Sequence, residues 1–214
     1  MPDPTHRLRL FVSGGPDLEA EQEAIGRAVA QIPAPSLGWS IGRTPRQGEP
    51  QFVAWDEIAT ADFYVLLLGS DIRAPVGAEL LAARRAGKRV LAYRMDVRRT
   101  QAGEAFARNA ALGWVECGTA RQLAQKIQLL LVEEIAAQGP ARGLPLVEQE
   151  ALQGFVERLR RGETEVPPGA KDGGAGGGGV ILVPGKDLPP GGVLVGEEEE
   201  RDEPAAAQHG LPDL

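Results

Sequence analysis

Short apolar runs and longer amphipathic stretches alternate from residue 8 to residue 137. Residues 8–12 (LRLFV) are an apolar run that breaks at Ser13-Gly14-Gly15. A helical pattern follows over 18–32, with Leu18, Ile25, Val29 and Ile32 on one stripe. Asp17 is placed to cap it, Glu19, Glu21 and Glu23 sit near its positive end, and Pro33 and Pro35 stop it. Residues 37–41 read as a weaker strand nearer an edge. The segment 44–51 (TPRQGEPQ) is a polar loop of the kind that carries function or crosses the surface. A short helix is predicted over 52–59.

Phe63–Leu68 is an uninterrupted apolar run ending at Gly69, as expected of a central strand buried on both faces. Pro75 suits the first turn of the next helix, Leu80, Leu81 and Ala83 give it an apolar face, and Ala86-Gly87 ends it. Residues 90–93 predict a fourth strand, 98–111 a helix, and 113–117 (GWVEC) a fifth strand. Thr119 caps a long helix over 120–137 whose Leu123, Ile127, Leu130 and Leu131 turn to the sheet.

This alternation predicts an α/β domain with a flavodoxin-like, five-stranded parallel sheet, helices on both faces and the strand order 2-1-3-4-5. Its switch point lies between the first and third strands, where the Ser13-Gly14-Gly15 loop and the 69–74 loop meet. Ligands bind open α/β sheets at that edge. The candidate binding residues are Ser13, Gly14, Gly15, Ser70, Asp71 and Arg73, with Glu79 on the following helix as the candidate catalytic carboxylate. Arg43 and Arg46 can assist from the polar loop. Each also has a plainer reading. Glu79 suits a solvated carboxylate paired with Arg84 or Lys88, and Gly14-Gly15 a tight turn. Asp71 and Arg73 suit a loop ion pair, Trp39 and Trp55 core or rim packing, and Cys117 a small buried hydrophobe.

The pattern changes beyond residue 138. The domain is assigned to 1–138, with a linker and one further amphipathic helix (146–161) in 139–165. Residues 166–214 are rich in glycine and proline and then acidic, a composition expected to remain flexible. Within them, 180–183 and 193–195 are short apolar runs able to pair as a weak hairpin. The GKD at 185–187 lacks the Ser/Thr and helix of a P-loop.

Composition narrows the chemistry. A formal charge of −7 over 214 residues argues against a nucleic-acid surface. Two histidines, His6 and His209, lie near opposite ends of the chain. A histidine base or a zinc cluster is therefore not expected, and neither is a resident cofactor. One cysteine makes no disulfide framework. No apolar run approaches the ~18 residues of a membrane span. The first residues lack a signal-peptide core, so a cytoplasmic protein without membrane contact is the default.

The runs LRLFVSGGPDLEAEQEAI, ATADFYVLLLGSD and VGAELLAARRAGKRVLAY together resemble the TIR-like superfamily. They are most similar to bacterial TIR-like domains, and nucleoside 2-deoxyribosyltransferases share the layout. The resemblance spans about residues 7–137, the size of one domain. It implies that Glu79 matches the glutamate acting at the ribose of NAD or a nucleoside, and that Ser13, Gly14 and Gly15 match the loop after the first strand. Pro75-Val76-Gly77-Ala78 stands where TIR NAD hydrolases often carry a tryptophan. The implied activity is an NAD(P) or nucleoside glycohydrolase in bacterial signalling or antiphage defence, activated by self-association, with NAD as substrate. The alternative is a module that binds a nucleotide or a protein partner without turnover, tethered through the tail. A deoxyribosyltransferase would want further carboxylates, for which Asp62 and Asp71 are the near candidates.

The chemistry stands without the family. Cleaving an N-glycosidic bond builds positive charge on the ribose ring, and a carboxylate on that face stabilises it. Nicotinamide leaves NAD as a neutral molecule and needs no general acid, so one placed glutamate suffices. The diphosphate would want donors from Gly14, Gly15, the start of the next helix and Arg73.

Overall fold

A computed structural model describes residues 6–46, 48–50 and 52–162. The possible hairpin and the acidic tail expected beyond residue 165 lie outside the described residues. Five strands form one parallel sheet: β1 (His6–Ser13), β2 (Leu37–Arg43), β3 (Phe63–Leu68), β4 (Val90–Met95) and β5 (Val115–Cys117). Their order is β2-β1-β3-β4-β5, the order the sequence predicts. The helices are α1 (Glu19–Ala30), α2 (Trp55–Thr60), α3 (Ala74–Arg85), α4 (Gln101–Asn109), α5 (Ala120–Gln138) and α6 (Leu146–Arg160).

Strand alternation sorts the core into two layers, because successive side chains point to opposite faces. Leu8, Leu10 and Val12 of β1 and Val65 and Leu67 of β3 pack against Ile25 and Val29 of α1 and Leu123, Ile127 and Leu131 of α5. Leu152, Phe155 and Val156 of α6 join the same cluster. On the other face Phe11, Tyr64 and Leu66 meet Ile58 of α2 and Val76, Leu80 and Ala83 of α3. The Phe11 and Tyr64 rings stack there with centroids 6.0 Å apart. Ser13 has the same parity as Phe11. Its hydroxyl therefore emerges on the α3 side, at the carboxyl end of the sheet.

Several element ends differ from the sequence expectation. A 3-10 turn over Pro16–Leu18 precedes α1, and Asp17 makes no cap hydrogen bond. The helix expected at 52–59 is α2, whose acidic Asp56 and Glu57 stand in its first turn, where the helix dipole favours them. α4 starts at Gln101 because Thr100 is its N-cap, accepting from the Gly103 amide, which leaves Arg98 and Arg99 outside. On α3, Leu81 points to solvent at 45% exposure, while Val76 and Glu79 turn inward. Leu130 is only partly buried against the core. Trp39 packs on Phe63, and Trp55 is exposed.

α4 is pressed against the loop after β3. A Cβ at Gly103 would lie 2.8 Å from the Ser70 carbonyl oxygen, whereas one at Gly26 of α1 meets nothing within 4 Å. Gly103→Ala should therefore destabilise the fold by about 1–3 kcal/mol. Gly26→Ala should stabilise it by about 0.5–1 kcal/mol through helix propensity. Urea unfolding followed by circular dichroism checks both. Equal effects at the two positions would mean that α4 does not bear on that loop.

Candidate active site

Glu79 is fully buried on the first half of α3, and three chain segments close on its carboxylate. Its Oε2 accepts from the Ser13 hydroxyl at 2.5 Å and from the Thr44 hydroxyl at 2.6 Å. Thr44 Oγ1 in turn accepts from the Gly14 amide at 3.0 Å, and the Thr44 amide donates to the Val12 carbonyl at 3.2 Å. The carboxyl ends of β1 and β2 and the buried side of α3 thus meet at one oxygen. The other oxygen, Glu79 Oε1, is buried without a hydrogen bond. So is the Tyr64 hydroxyl, which lies beside Ser13 without completing a hydrogen bond.

This corrects the reading of Glu79 as a solvated ion-pair partner. Arg84 donates instead to the Ala110 carbonyl, and Lys88 to the Ala61 carbonyl at 2.7 Å. Among the described residues no cation pairs with Glu79. Burial without a counter-charge raises the Glu79 carboxyl above its ordinary value of 4.5, and the hydrogen bonds from Ser13 and Thr44 only partly pull it back. Burial likewise raises the Tyr64 phenol, and the Glu79 carboxylate adds to the effect. A buried charge satisfied at one oxygen only is costly, and a neutral side chain of the same shape would serve the fold better.

The other candidate residues divide. Ser13 and Gly14 reach the Glu79 cluster directly. Gly15 and Gly69 flank Asp17: a Cβ at either would collide with an Asp17 carboxylate oxygen. Asp17 is therefore not a helix cap. Its Oδ2 accepts from the Ser70 amide at 2.9 Å and the Ser70 hydroxyl at 2.7 Å, tying the loop after β1 to the loop after β3. Asp71 accepts from the Thr100 hydroxyl at 2.7 Å and the Ile72 amide at 2.8 Å, and these bonds, Thr100 first, hold its carboxyl below the ordinary range. Asp71 thus anchors α4 in place of pairing with Arg73. Arg73 is exposed at the N-cap position of α3. The switch point gathers Ser13, Gly14 and Glu79 at one centre, while Ser70 and Asp71 serve its rim.

Thr44 and Tyr64 belong to the cluster and were not singled out from sequence. Thr44 is the first residue past β2, and β2 neighbours β1 in the predicted order. A hydroxyl there falls at the same sheet edge as Ser13. Tyr64 pairs with Phe11 across β1 and β3, so the alternation that places Ser13 also places the phenol on the α3 side.

Two hollows lie away from this cluster, one at the opposite sheet edge between Asp62, Arg89 and Glu134 and one along α5 and α6. Among the described residues no His, Cys, Asp or Glu cluster suits a metal ion, and no helix is long and apolar enough to cross a membrane. No family model matches the chain, and no curated protein or solved structure matches it either.

Two outcomes follow from this geometry. The folded protein holds the Glu79 proton more tightly than the unfolded chain, so native stability falls as pH rises from 4.5 through the raised folded value. Glu79→Gln removes that slope. Its stability relative to wild type should rise between pH 4.5 and 7, as measured by urea titration at each pH; a constant difference would contradict the burial argument. Thr44→Val leaves the Gly14 amide without its acceptor and Glu79 Oε2 with the Ser13 hydroxyl alone, and should cost about 1–3 kcal/mol, with Thr44→Ser restoring most of it.

Proposed function

We propose that this chain is a TIR-like glycohydrolase that cleaves the N-glycosidic bond of NAD(P) or a related nucleoside, with Glu79 as its catalytic carboxylate. One observation carries the reading: an uncompensated carboxylate, buried at the switch point of a parallel sheet, with one oxygen bound by Ser13 and Thr44 and the other unengaged. A desolvated acid at such an edge is a functional-site candidate on physical grounds. The sequence resemblance implies a role at the ribose for the same residue.

In the mechanism, Ser13 and Thr44 fix one Glu79 oxygen and leave Oε1 to face the ribose ring. As the nicotinamide bond breaks, its electron pair leaves with the neutral base and positive charge grows at the anomeric carbon. The carboxylate stabilises that charge, and water completes the hydrolysis, transferring its proton to solvent. A low-dielectric setting strengthens this attraction well beyond its value in water. Glu79 is fully buried here, so substrate reaches it only after Thr44 moves away. Self-association, as the resemblance implies, is the proposed trigger, in a cytoplasmic signalling or antiphage setting with the tail available to a protein partner.

The same closure favours a second reading. A fully enclosed Glu79 also suits a module that binds a nucleotide and changes shape without turnover. Nicotinamide release from NAD by the purified chain, at low and high protein concentration, separates the two. The glycohydrolase reading expects release that rises with concentration and falls at least about a hundredfold in Glu79→Gln. Binding of NAD without release at either concentration would establish the module instead.

A further inference from the structure

Two internal carboxylates occupy positions suited to an anionic ligand. Asp17 fills the crossing of the loops after β1 and β3 and takes up the Ser70 donors, while the Gly14 amide is engaged by Thr44. The glycine loop expected to cradle a diphosphate is therefore already lined with negative charge.

The second carboxylate is Glu49. Arg43 grips it in a fork, donating from Nη1 to Oε2 at 3.0 Å and from Nη2 to Oε1 at 2.8 Å. A guanidinium takes a phosphate in the same two-point manner. The Arg46 amide adds a third bond to Glu49 Oε2 at 2.7 Å, and the Arg46 guanidinium reaches Glu23 of α1 at 3.2 Å. Arg43 Nη1 also donates to the Thr44 carbonyl at 3.1 Å. The residue whose hydroxyl holds Glu79 is thus bonded through its own carbonyl to the arginine that holds Glu49.

We infer that Arg43 and Arg46 form a phosphate-binding site that Glu49 occupies in place of ligand, and that a diphosphate displaces Glu49 and releases Thr44 from Glu79. The assignment of Glu79 as the group uncovered rests on the glycohydrolase reading; the phosphate site itself does not. A diphosphate brings more charge and more acceptor oxygens to the two arginines than one carboxylate does. Glu49 competes because it lies on the same short loop and is always near. The Arg43 fork and the Arg46 amide hold its carboxyl down at about 2, below the ordinary 4.5. The latch therefore stays charged and contributes stability above pH 4.5, and it is lost only as pH falls towards 2. A competing anion is the trigger, not mild acid.

Titration calorimetry of the full chain with inorganic pyrophosphate tests the site, with hydrogen exchange at the Gly14 amide reporting the loop. Glu49→Gln should bind pyrophosphate about fivefold tighter than wild type, the scale set by an exposed ion-pair latch that must first open. Arg43→Gln with Arg46→Gln should abolish binding. Arg43→Lys, which keeps charge but loses the fork, should fall between them and guards against a misfolded double variant. Pyrophosphate should speed exchange at Gly14 in wild type. Unchanged affinity in Glu49→Gln, retained binding in the double variant, or no binding by any form would overturn the inference. None of these readouts involves turnover. Tighter binding in Glu49→Gln without nicotinamide release would sink the glycohydrolase reading alone. Release with a pyrophosphate affinity indifferent to Glu49 would sink this site alone.

Discussion

A carboxylate buried without a counter-charge is the constraint on which the rest of this site depends. Glu79 lies in a layer built otherwise from Phe11, Tyr64, Leu66, Val76 and Leu80. Among the described residues two hydroxyls supply its only hydrogen bonds, both at one oxygen. Each comes from the residue that ends or follows a strand, so the sheet itself sets their positions. If β1 slipped against β3 by one residue, every side chain would change face and Ser13 would leave α3 altogether. The register that buries Phe11 on Tyr64 is the register that delivers Ser13 to Glu79.

The carboxyl edge of the sheet is laced by acids that bond to neighbouring loops. Asp17 ties the β1 loop to Ser70, Asp71 ties the β3 loop to Thr100, and Glu79 ties β1 and β2 to α3. Two of the three are exposed or half-exposed and are satisfied at modest electrostatic cost. Only Glu79 is sealed. The loops around it are tied by hydrogen bonds and ion pairs, Asp17 to Ser70, Arg43 to Glu49 and Arg46 to Glu23, and such exposed contacts open at lower free energy than a core does. Rigid strands with a polar closure above them suit a site that must admit a ligand and then exclude water.

Much of this was legible in the sequence. The alternation of apolar runs and helical periodicity from residue 8 to residue 137 was enough for a parallel sheet, and its order followed as a common one among doubly wound folds. The sequence also brought Ser13, Gly14 and Glu79 to one edge. It did not show that Glu79 points inward, because Val76, Leu80 and Ala83 define a face that Glu79 shares only by its helical phase, and a charge there reads as solvated. Asp17 looked like a cap because acids before helices usually are; its bond to Ser70 spans 53 residues and has no local signature. Thr44 and Glu49 stood in a polar loop whose composition does not separate a latch from a surface crossing.

The most direct test of the central claim is the titration of the Glu79 side-chain carboxyl, followed by carbon-detected NMR on labelled protein with and without pyrophosphate. The account predicts a midpoint above 4.5 in the free protein, moving down towards that value as pyrophosphate opens the loop and water reaches the carboxylate. A midpoint at or below 4.5 in the free protein, indifferent to pyrophosphate, would mean that Glu79 is a comfortable structural anion and not a group held ready for chemistry.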